Sequence, residues 1–173
     1  MISDSICRAI NDSTHIFFQS VPGATVDKIR QYVDMQMVEV RHHQVIIIHV
    51  GTNNIERSPE GEVCQQFVKL LQAIRRQNAT ALLAVSSILP RPKDWNAYGE
   101  KVQRLNKLLE KMQAQHHFTF LKTYRAHWDQ MKKMPRRDHF ARDGLHLSAR
   151  GVAALKSSLE GAVKRLSGNR RRC

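Results

Sequence analysis

Gln44-Val45-Ile46-Ile47-Ile48-His49-Val50-Gly51-Thr52-Asn53-Asn54 is the stretch on which the fold turns. Gln44 to Val50 is β-branched and nearly continuous, as expected of a strand covered on both faces rather than one facing water. A glycine and three polar residues follow at once, where a chain leaving a strand needs a turn. On either side the apolar period changes to that of a helix. Upstream, Thr25 can cap a helix carrying Val26, Ile29, Val33 and Met37; downstream, Val63, Phe67, Leu70, Leu71 and Ile74 share one face. The same alternation extends outward. His15 to Ser20 reads as a strand ending at Pro22-Gly23, and Ala79 to Val85 as another buried strand. Trp95 to Met112 reads as a helix with Tyr98, Val102, Leu105 and Leu109 inward. Phe118 to Leu121 is a short strand, and Leu147 to Leu166 a closing helix with Val152, Leu155, Leu159 and Val163 inward. Strands alternating with helices imply an α/β domain, a parallel sheet between helical layers. Ligands of such sheets bind at the carboxyl ends of the strands.

Composition narrows the function classes. The chain has 173 residues, 42% hydrophobic and 25% charged, which suits one soluble domain. We expect residues 1–167 to form it and residues 168–173, with Arg170-Arg171-Arg172, to be a short basic tail. Val45 to Val50, interrupted by His49, is the longest apolar run, far too short to span a bilayer. No basic-then-apolar leader opens the sequence, so an intracellular, cytoplasmic setting is the expectation. Cys7, Cys64 and Cys173 are odd in number, widely spaced and without a CxxC pair. They argue against a disulfide framework or a zinc site. Lysine and arginine total 28 against 15 acidic residues, a net charge of +13. That excess favours polyanions, nucleic acid or an anionic membrane surface, unless the basic residues are merely spread over solvated helix faces; non-specific nucleic acid contact through the basic surface and tail is the partner expected.

Three loops hold groups that could carry chemistry: Ser3-Asp4-Ser5 at the start, Gly51-Thr52-Asn53-Asn54 after the strand, and Asp143-Gly144-Leu145-His146 before the last helix. Taken singly, each has a plain explanation as a turn residue, a cap or a structural histidine. Together they meet the needs of acyl transfer by serine. That reaction takes a nucleophile, a histidine base, an acid to orient the histidine, and donors aimed at the oxyanion. Asp143 and His146 are close enough for one loop to present both. Gly23 offers an unobstructed backbone N–H, and the Asn53 amide a second donor. The pairs His42-His43 and His116-His117 lack metal-site spacing and read as solvated turn or helix-end residues. Trp95 and Tyr98 read as packing, and Cys7 as a small buried residue.

In these blocks the sequence resembles the SGNH or GDSL hydrolase superfamily. Ser3-Asp4-Ser5 is similar to the Gly-Asp-Ser block of the nucleophile. Val21-Pro22-Gly23-Ala24 resembles the block of the oxyanion-hole glycine, and His49-Val50-Gly51-Thr52-Asn53-Asn54 the Gly-x-Asn-Asp block. Asp143-Gly144-Leu145-His146 matches the Asp-x-x-His block, and Ser87-Ile88-Leu89-Pro90-Arg91 also resembles family members. The resemblance implies a flavodoxin-like three-layer sandwich. It also implies an esterase acting on acetyl or other short acyl esters, with Ser5, His146 and Asp143 as triad, Gly23 and Asn53 as oxyanion hole, and no cofactor or metal. Small domains of this kind also occur in retrotransposon-encoded proteins. Ser3 stands where the family has glycine, and Asn54 where it often has aspartate. Only Met1 and Ile2 precede Ser3, whereas the family has a full apolar strand there, so the first strand is expected to be truncated. Two other readings stay open: an inactive module of this fold binding nucleic acid, and acyl transfer to an acceptor other than water.

Overall fold

The computed structural model describes residues 1–4 and 16–170, with side chains through residue 168. Five strands form one parallel sheet: β1 (Ile2–Ser3), β2 (Gln19–Ser20), β3 (Val45–His49), β4 (Leu82–Ser86) and β5 (Thr119–Leu121), in the order β2-β1-β3-β4-β5. The helices α1 (Val26–Asp34), α2 (Glu60–Gln77) and α3 (Trp95–Met112) link successive strands, and α4 (Ala149–Arg170) closes the chain. Two further short strands, β6 (Trp128–Asp129) and β7 (Met134–Pro135), pair antiparallel.

The strand pleat decides the layers, because alternate side chains face opposite ways. Ile46 and Ile48 of β3, with Leu83 and Val85 of β4, pack against Ile29 and Val33 of α1, Phe67 and Leu70 of α2, and Leu105 and Leu109 of α3. Ile47, Ala84 and Leu121 point the other way, onto Leu155, Leu159 and Ala162 of α4. The sheet is therefore covered on both faces, which is why Val45 to Ile48 of β3 are all apolar and not alternating. The architecture is the α/β three-layer sandwich. β1, though only two residues long, lies inside the sheet, with Ile2 beside Ile48 and Ser3 beside His49.

Local structure departs from the periodicity where backbone conformation overrules it. The first helix stops at Asp34, because Gln36 takes a left-handed φ of 58° that no helix continues through. Met37 is thereby left 64% exposed instead of facing in. The second strand is Gln19–Ser20, shorter than the apolar pattern, and Phe17 is largely exposed. The closing helix starts at Ala149, not Leu147: Leu147 bridges to Phe140, and the Ser148 hydroxyl accepts the Gly151 N–H as a cap. Among the described residues no helix is long and apolar enough to cross a membrane.

Candidate active site

The carboxyl ends of β1 and β3 converge with the loop ahead of α1. Gly51 follows β3 with φ 120°, and a Cβ there would lie 2.8 Å from Ile88 Cδ1, so glycine is required. The chain then makes a single 3-10 turn, Thr52–Asn54. Asn54 is buried: its Oδ1 accepts the Val26 N–H at the start of α1 (3.0 Å), and its Nδ2 donates to Gln66 Oε1 of α2 (2.8 Å). An orphan helix donor is thus satisfied from another loop. Asn53, half-buried, donates from Nδ2 to the Ala24 carbonyl at 3.0 Å. This bond sets the Asn53 amide beside the Gly23 block and leaves its second N–H available. Gly23 itself is exposed, has φ 69°, and has no atom within 4 Å of where a Cβ would stand. Asp4 is buried at the end of β1, its N–H donating to the His49 carbonyl and its carbonyl accepting from Ser20 Oγ. Ser5, the expected nucleophile, lies outside the described residues, as does Cys7.

Asp143 and His146 come together within one tight loop. Its neck is closed by the Phe140–Leu147 bridge and by the Ala141 N–H donating to the His146 carbonyl at 2.8 Å. Asp143 Oδ1 accepts the backbone N–H groups of Leu145 (2.9 Å) and His146 (3.0 Å), which orients the carboxylate. Its Oδ2 then lies 2.7 Å from His146 Nδ1. The hydrogen bond from His146 holds the Asp143 carboxyl at about 2, well below its usual range, helped by the two backbone donors. An ionised Asp143 can only accept, so Nδ1 carries a proton, and in the neutral imidazole Nε2 then presents the lone pair. Both side chains are about half exposed. Gly144, at the turn of the loop, has φ 67°; its carbonyl accepts the Lys93 N–H at 3.0 Å, and a Cβ would meet Lys93 N at 2.7 Å. The loop is thereby docked against the turn Pro92–Asp94 at the start of α3.

Three other histidines are buried beneath the carboxyl ends of the strands. His49 Nδ1 is 2.7 Å from Ser86 Oγ, which in turn is 2.7 Å from Thr123 Oγ1. His127 and His139 approach each other at 3.3 Å between their Nδ1 atoms. Burial drives the His49 imidazole down to about 4; burial, then the nearness of His139 and His49, drives His127 down to about 3. Lowered in this way, the three rings are neutral near pH 7, and their burial keeps them from a substrate. Periodicity gave no sign of their burial, since histidine alternates with no pattern of its own. Among the described residues, no three His, Cys, Asp or Glu side chains converge as metal ligands would. Trp95 packs on Trp128 at 5.1 Å between centroids and borders a cavity of about 230 Å³ at the β5 edge of the sheet.

Comparison with known proteins agrees with this fold. A Drosophila melanogaster platelet-activating factor acetylhydrolase IB subunit beta homolog is 32% identical over 66 residues, 38% of this chain and only 29% of that protein. A GDSL-like lipase from Bacteroides thetaiotaomicron superposes with a TM-score of 0.77 at 14% identity, covering 95% of this chain and 86% of the other. The esterase domain of the ORF1 protein from the zebrafish ZfL2-1 retrotransposon superposes with a TM-score of 0.54 at 23% identity, covering 95% and 96%. At these identities the structures speak for the fold alone. The model of the GDSL-like lipase/acylhydrolase family matches residues 2–154, nearly the whole domain, and the chain belongs to that family.

Proposed function

We propose that the chain is a serine esterase acting on short acyl esters, with Ser5 as nucleophile, His146 as base and Asp143 as its orienting acid. The observation that carries this reading is the 2.7 Å contact between Asp143 Oδ2 and His146 Nδ1, with the other carboxylate oxygen held by two backbone donors. Membership in an acylhydrolase family supports ester hydrolysis as the reaction class.

The steps follow from the proton positions. His146 Nε2 takes the Ser5 hydroxyl proton as the oxygen adds to the ester carbonyl. The resulting oxyanion is received by the Gly23 N–H, the unused Asn53 amide N–H and the Ser5 N–H. Ionised Asp143 steadies the imidazolium. Collapse breaks the bond to the alkoxy oxygen, which leaves as the alcohol with the proton from His146. Water then attacks the acyl-serine, giving its proton to His146, and a second collapse releases the carboxylic acid and returns the proton to Ser5. No step calls for a metal or an organic cofactor.

The test is turnover of p-nitrophenyl acetate and butyrate by wild type, Ser5→Ala and His146→Ala. Each variant should lose several orders of magnitude in kcat, leaving residual catalysis from the oxyanion donors. Equal turnover by wild type and Ser5→Ala would refute the assignment. Adding an acceptor alcohol separates hydrolysis from transfer by the product formed.

A further inference from the structure

Arg91 is buried, 3% exposed, just past the carboxyl end of β4. Its guanidinium reaches the turn after β3 and the turn that leads into α3. Nη1 donates to the Thr52 carbonyl at 3.0 Å, one residue before Asn53. Nη2 pairs with the carboxylates of Glu56, on the far side of the same turn, and Asp94. Asp94 ends the Pro92–Asp94 turn, whose Lys93 N–H holds the Gly144 carbonyl between Asp143 and His146. The Tyr98 ring of α3 lies 5.7 Å from the guanidinium carbon.

Stability does not account for this placement. A buried charged pair costs desolvation that its attraction roughly repays, and apolar replacements are often neutral or better. What a planar fork of donors supplies is geometry. The Asn53 turn follows β3 and the Asp143–His146 loop precedes α4, some ninety residues further along the chain. Among the described residues, the Asn53 and Asn54 amides tie the first to the α1 loop and to α2. Arg91 is the group that reaches from that turn to the segment on which the second is docked.

We infer that Arg91 is a positioning residue: its guanidinium fixes the Asn53 oxyanion donor relative to the Asp143–His146 loop, joining the two halves of the site. This inference rests on the serine-esterase reading. Arg91 touches no reacting atom and acts through Thr52 on one side and Lys93–Gly144 on the other. It should therefore govern kcat and leave KM nearly unchanged.

The experiment is a double-mutant cycle of Arg91→Met and Asn53→Ala on p-nitrophenyl acetate, with amide hydrogen exchange as a readout independent of turnover. Arg91→Met alone should lower kcat about 10²-fold with KM within about threefold, since misplacement by about 1 Å costs that much. In the Asn53→Ala background the same change should cost no more than about threefold, because the donor it places is already gone. Exchange of the Lys93 and Asn54 amides, bonded to Gly144 and Gly51 carbonyls, should quicken about tenfold or more as local opening becomes easier. Arg91→Lys keeps the charge without the fork; it should regain the melting temperature but not more than about a tenth of kcat. Penalties that multiply independently, unchanged exchange at both amides, or full kcat in Arg91→Lys would each overturn the inference. Should Arg91→Met not fold, the Arg91→Lys cycle decides on the same terms. If wild type turns over no ester, the esterase reading fails, while the exchange result still judges the tether.

Discussion

Asp143→Asn separates the charge of the acid from its shape. The asparagine Oδ1 can keep both backbone bonds, from Leu145 and His146, so the loop should stay folded as it is. Its Nδ2 then faces His146 Nδ1 as a donor, where the native contact of 2.7 Å has an acceptor. The imidazole is forced to place its proton on Nε2 and loses its lone pair toward Ser5. Flipping the amide restores the working tautomer but turns an NH2 group against two N–H donors. That forfeits two hydrogen bonds at about 1 kcal/mol each, a population near one in thirty. Loss of the carboxylate's support for the imidazolium, a charge-assisted bond worth about 1.5–3 kcal/mol, adds another ten- to hundredfold. We expect kcat/KM for p-nitrophenyl acetate to fall about 10³-fold, short of the roughly 10⁴-fold seen for buried triads because this pair is half exposed. The melting temperature should move by only a few degrees. Turnover within threefold of wild type, in a variant with unchanged circular dichroism, would refute the role given to Asp143.

Gly144→Ala should lower kcat at least tenfold and destabilise by about 1–2 kcal/mol, from the left-handed φ and the 2.7 Å approach to Lys93 N. Gly61→Ala, in helix α2 with open space at its Cβ, should instead raise the melting temperature slightly and leave activity alone. Stability should drop between about pH 6.5 and 5, because the unfolded chain binds protons that His49 and His127 refuse when folded. With folded values of about 4 and about 3, each histidine removes about 2 kcal/mol by pH 5. Urea midpoints equal at pH 7 and pH 5 would contradict this. The net charge of +13 should give weak oligonucleotide binding that falls steeply with salt and shrinks on truncation after Gly168. Tight, salt-resistant binding by the truncated domain would favour a dedicated nucleic-acid role.

What could be read from the residues alone was what local spacing determines. The β-branched run ending in Gly51 marked a two-sided strand and the turn behind it, and Asp143 and His146 could be paired because one loop holds both. Gly23 and Asn53 depended on the family blocks, since nothing local says that the two loops meet. Three things were invisible for physical reasons. The partners of Arg91 lie up to 39 residues away, and a lone arginine in a loop looks solvated. Asn54 reads as a turn residue or a local cap until α1, from another loop, is seen to begin against it. Met37 continues a helical stripe that Gln36 breaks by adopting a conformation periodicity does not register. The short first strand was legible as a count of residues, and its place inside the sheet followed from the family resemblance, not from any local pattern.

The central claim is that Ser5 is a nucleophile activated by His146. Treating the protein with diisopropyl fluorophosphate and mapping the adduct by peptide mass spectrometry tests it directly, because phosphorylation with loss of fluoride requires an activated serine and no particular ester. The expected result is one adduct, on Ser5, absent from Ser5→Ala and formed at least about 10²-fold more slowly in His146→Ala. An adduct on another residue, or labelling of Ser5→Ala at the wild-type rate, would contradict it.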